Sequence, residues 1–176
     1  VREEQRGFTL IELLMVVAVV AILAWIVIPT WTKESGKSKA RSEVSSVFAE
    51  FQAKEEQYHA DNGVYLAIPP CPATPSAAGT DITGTGVNCI GTASWLALRF
   101  APPEKTMMCS YQVVIGIAGQ DPAGSVPPPI GTLNSNPAST WYFVLATCDM
   151  DNNSATNSQY MSSNLDSTIQ SVNEGY

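Results

Sequence analysis

Glu12 is the single charged side chain in the apolar run from Phe8 to Ile28. A carboxylate placed there is costly to keep ionised among apolar neighbours, so its presence points to a cationic partner and a function. Far along the chain, Asp149, Asp151 and Asn153 alternate as three oxygen-bearing side chains, the spacing of the first three ligands of a calcium loop. The sixth and twelfth positions of such a loop hold Ser154 and Tyr160 instead of Gly and Glu. The competing reading is a polar turn, because Asp and Asn bond their own backbone. Calcium is the one cofactor the sequence raises. Cys71, Cys89, Cys109 and Cys148 lack the short paired spacing of a zinc site. His59 is the only histidine, and no Cys, Asp or second His shows ligand spacing to it, so it reads as a surface or satisfied core side chain. With no Gly-x-Ser-x-Gly and no nucleophile beside a base, the chain does not read as an enzyme.

The element that must carry Glu12 is a helix. About 20 apolar residues cross the roughly 30 Å hydrocarbon core of a bilayer as a helix, and the run to Ile28 has that length. Trp25 and Trp31 near its end suit a membrane interface. An ordinary secretory signal has a shorter apolar stretch and an Ala-x-Ala-like cut site, whereas Val27-Ile28-Pro29-Thr30-Trp31 follows here. A plain membrane anchor explains the length but leaves Glu12 without a purpose.

The block Gly7-Phe8-Thr9-Leu10-Ile11-Glu12-Leu13-Leu14, opening this run, resembles the amino-terminal signature of type IV pilins and of the pseudopilins of type II secretion. The resemblance implies a leader, residues 1–7, cut between Gly7 and Phe8 by a membrane peptidase that then methylates the new amino group on Phe8. It implies that Glu12 meets the amino-terminal charge of a neighbouring subunit within a filament core. An assembly ATPase and an inner-membrane platform are the implied partners. The leader carries Arg2 and Arg6 but also Glu3 and Glu4, so it is less basic than the positive-inside rule favours. Ala21 stands where many relatives have a glycine that loosens the helix on assembly. Pro29 removes a backbone donor and clashes with the preceding turn, which predicts a kink.

Beyond Pro29, Ala40, Val44, Val47, Phe48, Phe51 and Tyr58 recur at helical spacing and mark one face for a core. Asp61-Asn62-Gly63 is a stop signal, since Gly supplies the left-handed C-cap cheaply. Residues 8–31 thus form the transmembrane or filament-core half of one long helix, and residues 32–62 its amphipathic half. Residues 63–176 form a head. In the head, residues 64–94 read as a long connection, with a short turn or strand at Trp95–Leu98. Ser110–Ile117 and Trp141–Cys148 read as strands, Gly119–Thr140 as loop, and Gln159–Leu165 and Ser167–Val172 as further short strands.

With a membrane segment ahead of the cysteines, an exported and oxidising location favours disulfides, and four cysteines allow three pairings. Placing Cys109 opposite Cys148 in an antiparallel pair sets Tyr111 against Ala146, Val113 against Val144 and Ile115 against Tyr142 on one apolar face. The favoured set is therefore Cys109–Cys148 with Cys71–Cys89. The fold class is α+β: a long amino-terminal helix packed by its rear half on a small antiparallel sheet, the layout of the pilin family.

The net charge of −7 is uneven. Lys33, Lys37, Lys39 and Arg41 cluster after the apolar run, whereas beyond Asp61 only Arg99 and Lys105 oppose seven acidic side chains. The basic cluster reads as a solvated helix face or as a contact for lipid headgroups. The acidic head argues against nucleic acid as a partner. The expected function is a pilin of an extracellular type IV pilus, serving adhesion, motility or uptake, and held in the inner membrane as a precursor. The alternatives are a pseudopilin acting in the periplasm and a minor tip adhesin.

Overall fold

A computed structural model describes residues 9–84, 89–122, 136–153 and 155–175; the side chains of 26–30, 32 and 33 lie outside that description. One helix, α1, runs from Leu10 to Asn62, 53 residues, or about 80 Å at 1.5 Å per residue. Thr9 caps its start. The Thr9 hydroxyl accepts the Glu12 N–H while the Glu12 carboxylate accepts the Thr9 N–H, satisfying two otherwise unpaired amides reciprocally. The helix stops where expected. Gly63 takes the left-handed conformation at φ 75° and donates its N–H to the His59 carbonyl at 2.7 Å. The backbone stays helical through position 29, where the sequence predicts a kink; the side chain there lies outside the described residues.

The rear half of α1 packs on a five-stranded antiparallel sheet in the order β1 (Ile68–Cys71), β4 (Cys109–Gly116), β5 (Trp141–Cys148), β6 (Ser158–Ser163) and β7 (Gln170–Val172). The remaining elements are β2 (Thr80–Asp81), α2 (Ala93–Leu98) and β3 (Thr106–Met107), with β2 and β3 paired separately. This is the α+β arrangement the sequence predicts. The central register is also as predicted: Cys109 faces Cys148, Tyr111 faces Ala146, Val113 faces Val144 and Ile115 faces Tyr142. Both disulfides form as favoured, Cys71–Cys89 and Cys109–Cys148.

The core lies between α1 and the inner face of the sheet. Ala40, Val44, Val47, Phe48 and Phe51 are buried, and Tyr58 is half-buried at the margin. Phe51 gathers Trp95, Phe100 and Tyr111 around its ring at centroid distances of 5.4, 4.4 and 6.3 Å. Each such aromatic side chain contributes about 2–3 kcal/mol by leaving water.

Several boundaries differ from expectation for local reasons. Trp95–Leu98 belongs to the short helix α2, neither turn nor strand, and it does bury Trp95. The connection 64–94 contains β1, whose Pro69 and Pro70 are tolerated because β1 is an edge strand. Ile117 lies past the end of β4 and is exposed, as is Ile115. The last β1–β4 partners are Ile68 and Val113, so among the described residues no strand pairs with β4 on that side beyond Val113. The outer face of the sheet carries a second apolar cluster of Trp141, Phe143, Leu145 and Met161. Gly116 is required there, because a Cβ at that position would run into the Trp141 indole. Most of the loop expected over Gly119–Thr140 lies outside the described residues.

Candidate functional site

The front of α1 is where the sequence places its chemistry. Every residue from Thr9 to Trp25 is exposed, and Leu10, Ile11, Met15 and Trp25 are 77, 69, 70 and 85% exposed. A continuous apolar rod of this kind gains free energy by being covered, at about 25 cal/mol per Å² removed from water. Among the described residues no helix is long and apolar enough to cross a membrane.

Glu12 lies on this rod with its carboxylate turned back to the helix start. Its Oε2 accepts the Thr9 N–H at 3.1 Å and the Thr9 hydroxyl at 2.9 Å. The carboxylate is therefore held at the amino-terminal end of α1 by Thr9. Gly7 and Phe8, the expected cut and methylation positions, lie outside the described residues. Thr9 is the residue that the sequence reading missed. The Thr-x-x-Glu spacing that opens a capping box was the available signal.

The other candidates are distributed differently. Asp149 and Asp151 each direct one carboxylate oxygen to the Asn153 N–H, at 3.0 Å in both cases. The Asn153 side chain in turn contacts the Thr156 hydroxyl and the Ala155 N–H. These bonds are ones that a polar turn makes, with one carboxylate oxygen of Asp149 and one of Asp151 used in them. Among the described residues no cluster of three His, Cys, Asp or Glu side chains could hold a metal ion. His59 stacks on Tyr65 at 4.3 Å, with Nε2 3.5 Å from the Thr140 hydroxyl.

The basic cluster is partly spent within the molecule. Lys37 and Arg41 both reach Glu174, at 3.2 and 2.7 Å, tying the end of the described chain to α1. Burial opposes the Glu174 charge, but hydrogen bonds from Ser171, Lys37 and Arg41 outweigh it and hold the carboxyl below its ordinary value. Glu43, one turn from Lys39, accepts the Met108 and Cys109 amides and the Tyr111 hydroxyl. The head is thus fixed to the rear half of the helix, leaving the front half bare.

Comparison with known proteins agrees with the motif. Residues 4–28 match the prokaryotic N-terminal methylation motif. The chain is 34% identical over 85 residues to fimbrial protein EcpC of Eikenella corrodens, covering 48% of this chain and 51% of that protein. It is likewise 34% identical over 64 residues to type II secretion system core protein G of Klebsiella michiganensis, covering 36% of this chain and 44% of that one. The chain spans about half the length of the curated relatives it matches. No solved structure matches it. The motif and the two relatives are consistent with a pilin or pseudopilin subunit.

Proposed function

We propose that this chain is a structural pilin, the subunit of an extracellular type IV pilus, and not an enzyme. It is held in the inner membrane as a precursor and cut between Gly7 and Phe8. It is then methylated on Phe8 and polymerised through the front half of α1. The observation that carries this reading is the exposed apolar rod joined to a closed, disulfide-braced head. Such a molecule has a satisfied globular part and an unsatisfied shaft, and copies of itself cover the shaft best when the shafts bundle. Glu12, held by Thr9 at the helix start, then offers an anion to the amino group of an adjacent copy. In the low dielectric of a bundled core that attraction is stronger than in water, although desolvation offsets part of it. A prepilin peptidase with methyltransferase activity, an assembly ATPase and a membrane platform are the partners this route requires.

A pseudopilin of a type II secretion system is the second reading, supported by the similarity to core protein G. Electron microscopy and secretion assays on cells lacking the gene separate the two. Loss of surface fibres with intact secretion supports the pilin, whereas lost secretion with fibres retained supports the pseudopilin. Normal fibres and normal secretion together would exclude both.

A further inference from the structure

Glu55 interrupts the apolar face of α1. It sits one turn after Phe51 on the core side, and its side chain is fully buried. Oε2 accepts the Leu66 N–H at 2.9 Å, which joins α1 to the segment returning after Gly63. Oε1 has no hydrogen-bond partner among the described residues. Among the described residues no cation pairs with it. An ionised carboxylate left in this state is expensive, because one oxygen is dry and unpaired and no opposite charge compensates it.

The groups around it do not help the charged form. Glu56 is its chain neighbour and its oxygen receives the Tyr65 hydroxyl at 3.3 Å. His59, one turn farther along α1, is stacked on Tyr65, and Tyr65 packs on Tyr142 of β5 at 4.7 Å. The Asn164 amide reaches the Tyr65 hydroxyl at 3.3 Å and the Thr140 carbonyl at 3.2 Å, closing the cluster from the segment after β6. Glu56, His59, Tyr65 and Tyr142 are the titratable groups that face this junction.

We propose that Glu55 is a proton-operated latch: as a neutral acid it holds the segment around Leu66 against α1, and on ionising it releases that segment from the helix. Burial pushes the Glu55 carboxyl up to about 7, with the Leu66 N–H opposing the rise and the Glu56 charge adding to it. The folded state therefore keeps a proton that the unfolded chain gives up near 4.5. The stability this contributes is fully present below 4.5 and is lost as pH rises toward 7. The helix–loop junction accordingly loosens as pH rises from about 4.5 through about 7, while Cys109–Cys148 keeps β4 joined to β5. The latch joins the rear half of α1 to the head and does not depend on which filament the chain builds.

The test uses the full chain in detergent micelles. Carbon-13 NMR of the Glu55 carboxyl follows its titration directly, and hydrogen exchange of the Leu66 amide reports the latch. Between about pH 6 and about pH 8 the Leu66 protection factor falls about tenfold, after correction for intrinsic exchange, as expected one unit beyond the titration midpoint. Glu55→Gln, which keeps the acceptor and cannot ionise, holds protection constant over that range. A Glu55 carboxyl titrating near the value of an exposed glutamate overturns the proposal without any variant. Equal pH dependence of Leu66 exchange in wild type and Glu55→Gln overturns it as well.

Discussion

The Tyr111 hydroxyl on β4 donates to the Glu43 carboxylate on α1 at 2.8 Å, across a half-buried seam that also takes the Met108 and Cys109 amides into the same carboxylate. Burial pushes the Tyr111 phenol well above its ordinary range, and the nearby Glu43 charge pushes it farther in the same direction. A carboxylate that satisfies the amides of Cys109, which opens β4, and of Met108 just before it, together with a phenol, fixes the height of the sheet along the helix.

Glu43→Ala leaves those donors unpaired. The expected loss is about 2–3 kcal/mol, the cost of orphaning buried groups that were bonded to a charge. Urea denaturation of the full chain in detergent measures it. A change under about 0.5 kcal/mol, the range of an ordinary surface substitution, would show that the seam does not depend on Glu43.

The two disulfides are not equivalent in the chain they close. Cys109–Cys148 spans 39 residues and Cys71–Cys89 spans 18. The chain-entropy account gives about 4 and about 3 kcal/mol respectively. Pairwise Cys→Ser variants, compared by thermal unfolding, should therefore rank Cys109/Cys148 as the more damaging pair. The reverse order would indicate that anchoring the segment after β1 outweighs the loop closed.

Much of this head was legible because two signals coincided. In β4 and β5 the period-two apolar pattern and the cysteine positions demanded the same register, so Tyr111–Ala146 and Val113–Val144 could be paired in advance. Gly63 announced the end of α1 through its backbone freedom. The parts that were not legible lack such agreement. Pro69 and Pro70 argue against a strand, and only the edge position of β1 accommodates them. Helix α2 spans six residues, too few for a helical period to show. Glu55 reads as a gap in the apolar stripe because a buried acid has no sequence signature. The role of Glu43 depends on partners more than 60 residues away, which local spacing does not report.

The end of the described chain should respond to acid. The Glu174 carboxyl is held below its ordinary 4.5 by Ser171, Lys37 and Arg41 despite the opposing effect of burial. Its contribution is present above 4.5 and is lost as pH falls through the lowered folded value. Amide exchange of residues 170–175 should therefore accelerate, relative to the central strands, on acidification below about pH 4. Glu174→Gln should show that looser end already at neutral pH. Indistinguishable exchange in the two proteins at neutral pH would remove Glu174 from this role.

Glu12 has two separable duties, capping α1 through Thr9 and supplying a charge. Gln at the same position preserves a capping box while removing the charge. Both Glu12→Gln and Glu12→Ala should insert in the membrane and lose the leader, yet yield few fibres in a shearing assay. Full fibre yield from Glu12→Gln would show that the cap matters and the charge does not.

The central claim is that the bare front of α1 becomes the filament core after processing at Gly7. Intact-mass and amino-terminal peptide mass spectrometry of the chain recovered from sheared surface fibres tests it most directly. The account predicts a mature product beginning at an N-methylated Phe8. A polymerised product that still carries Val1 through Gly7 would contradict it.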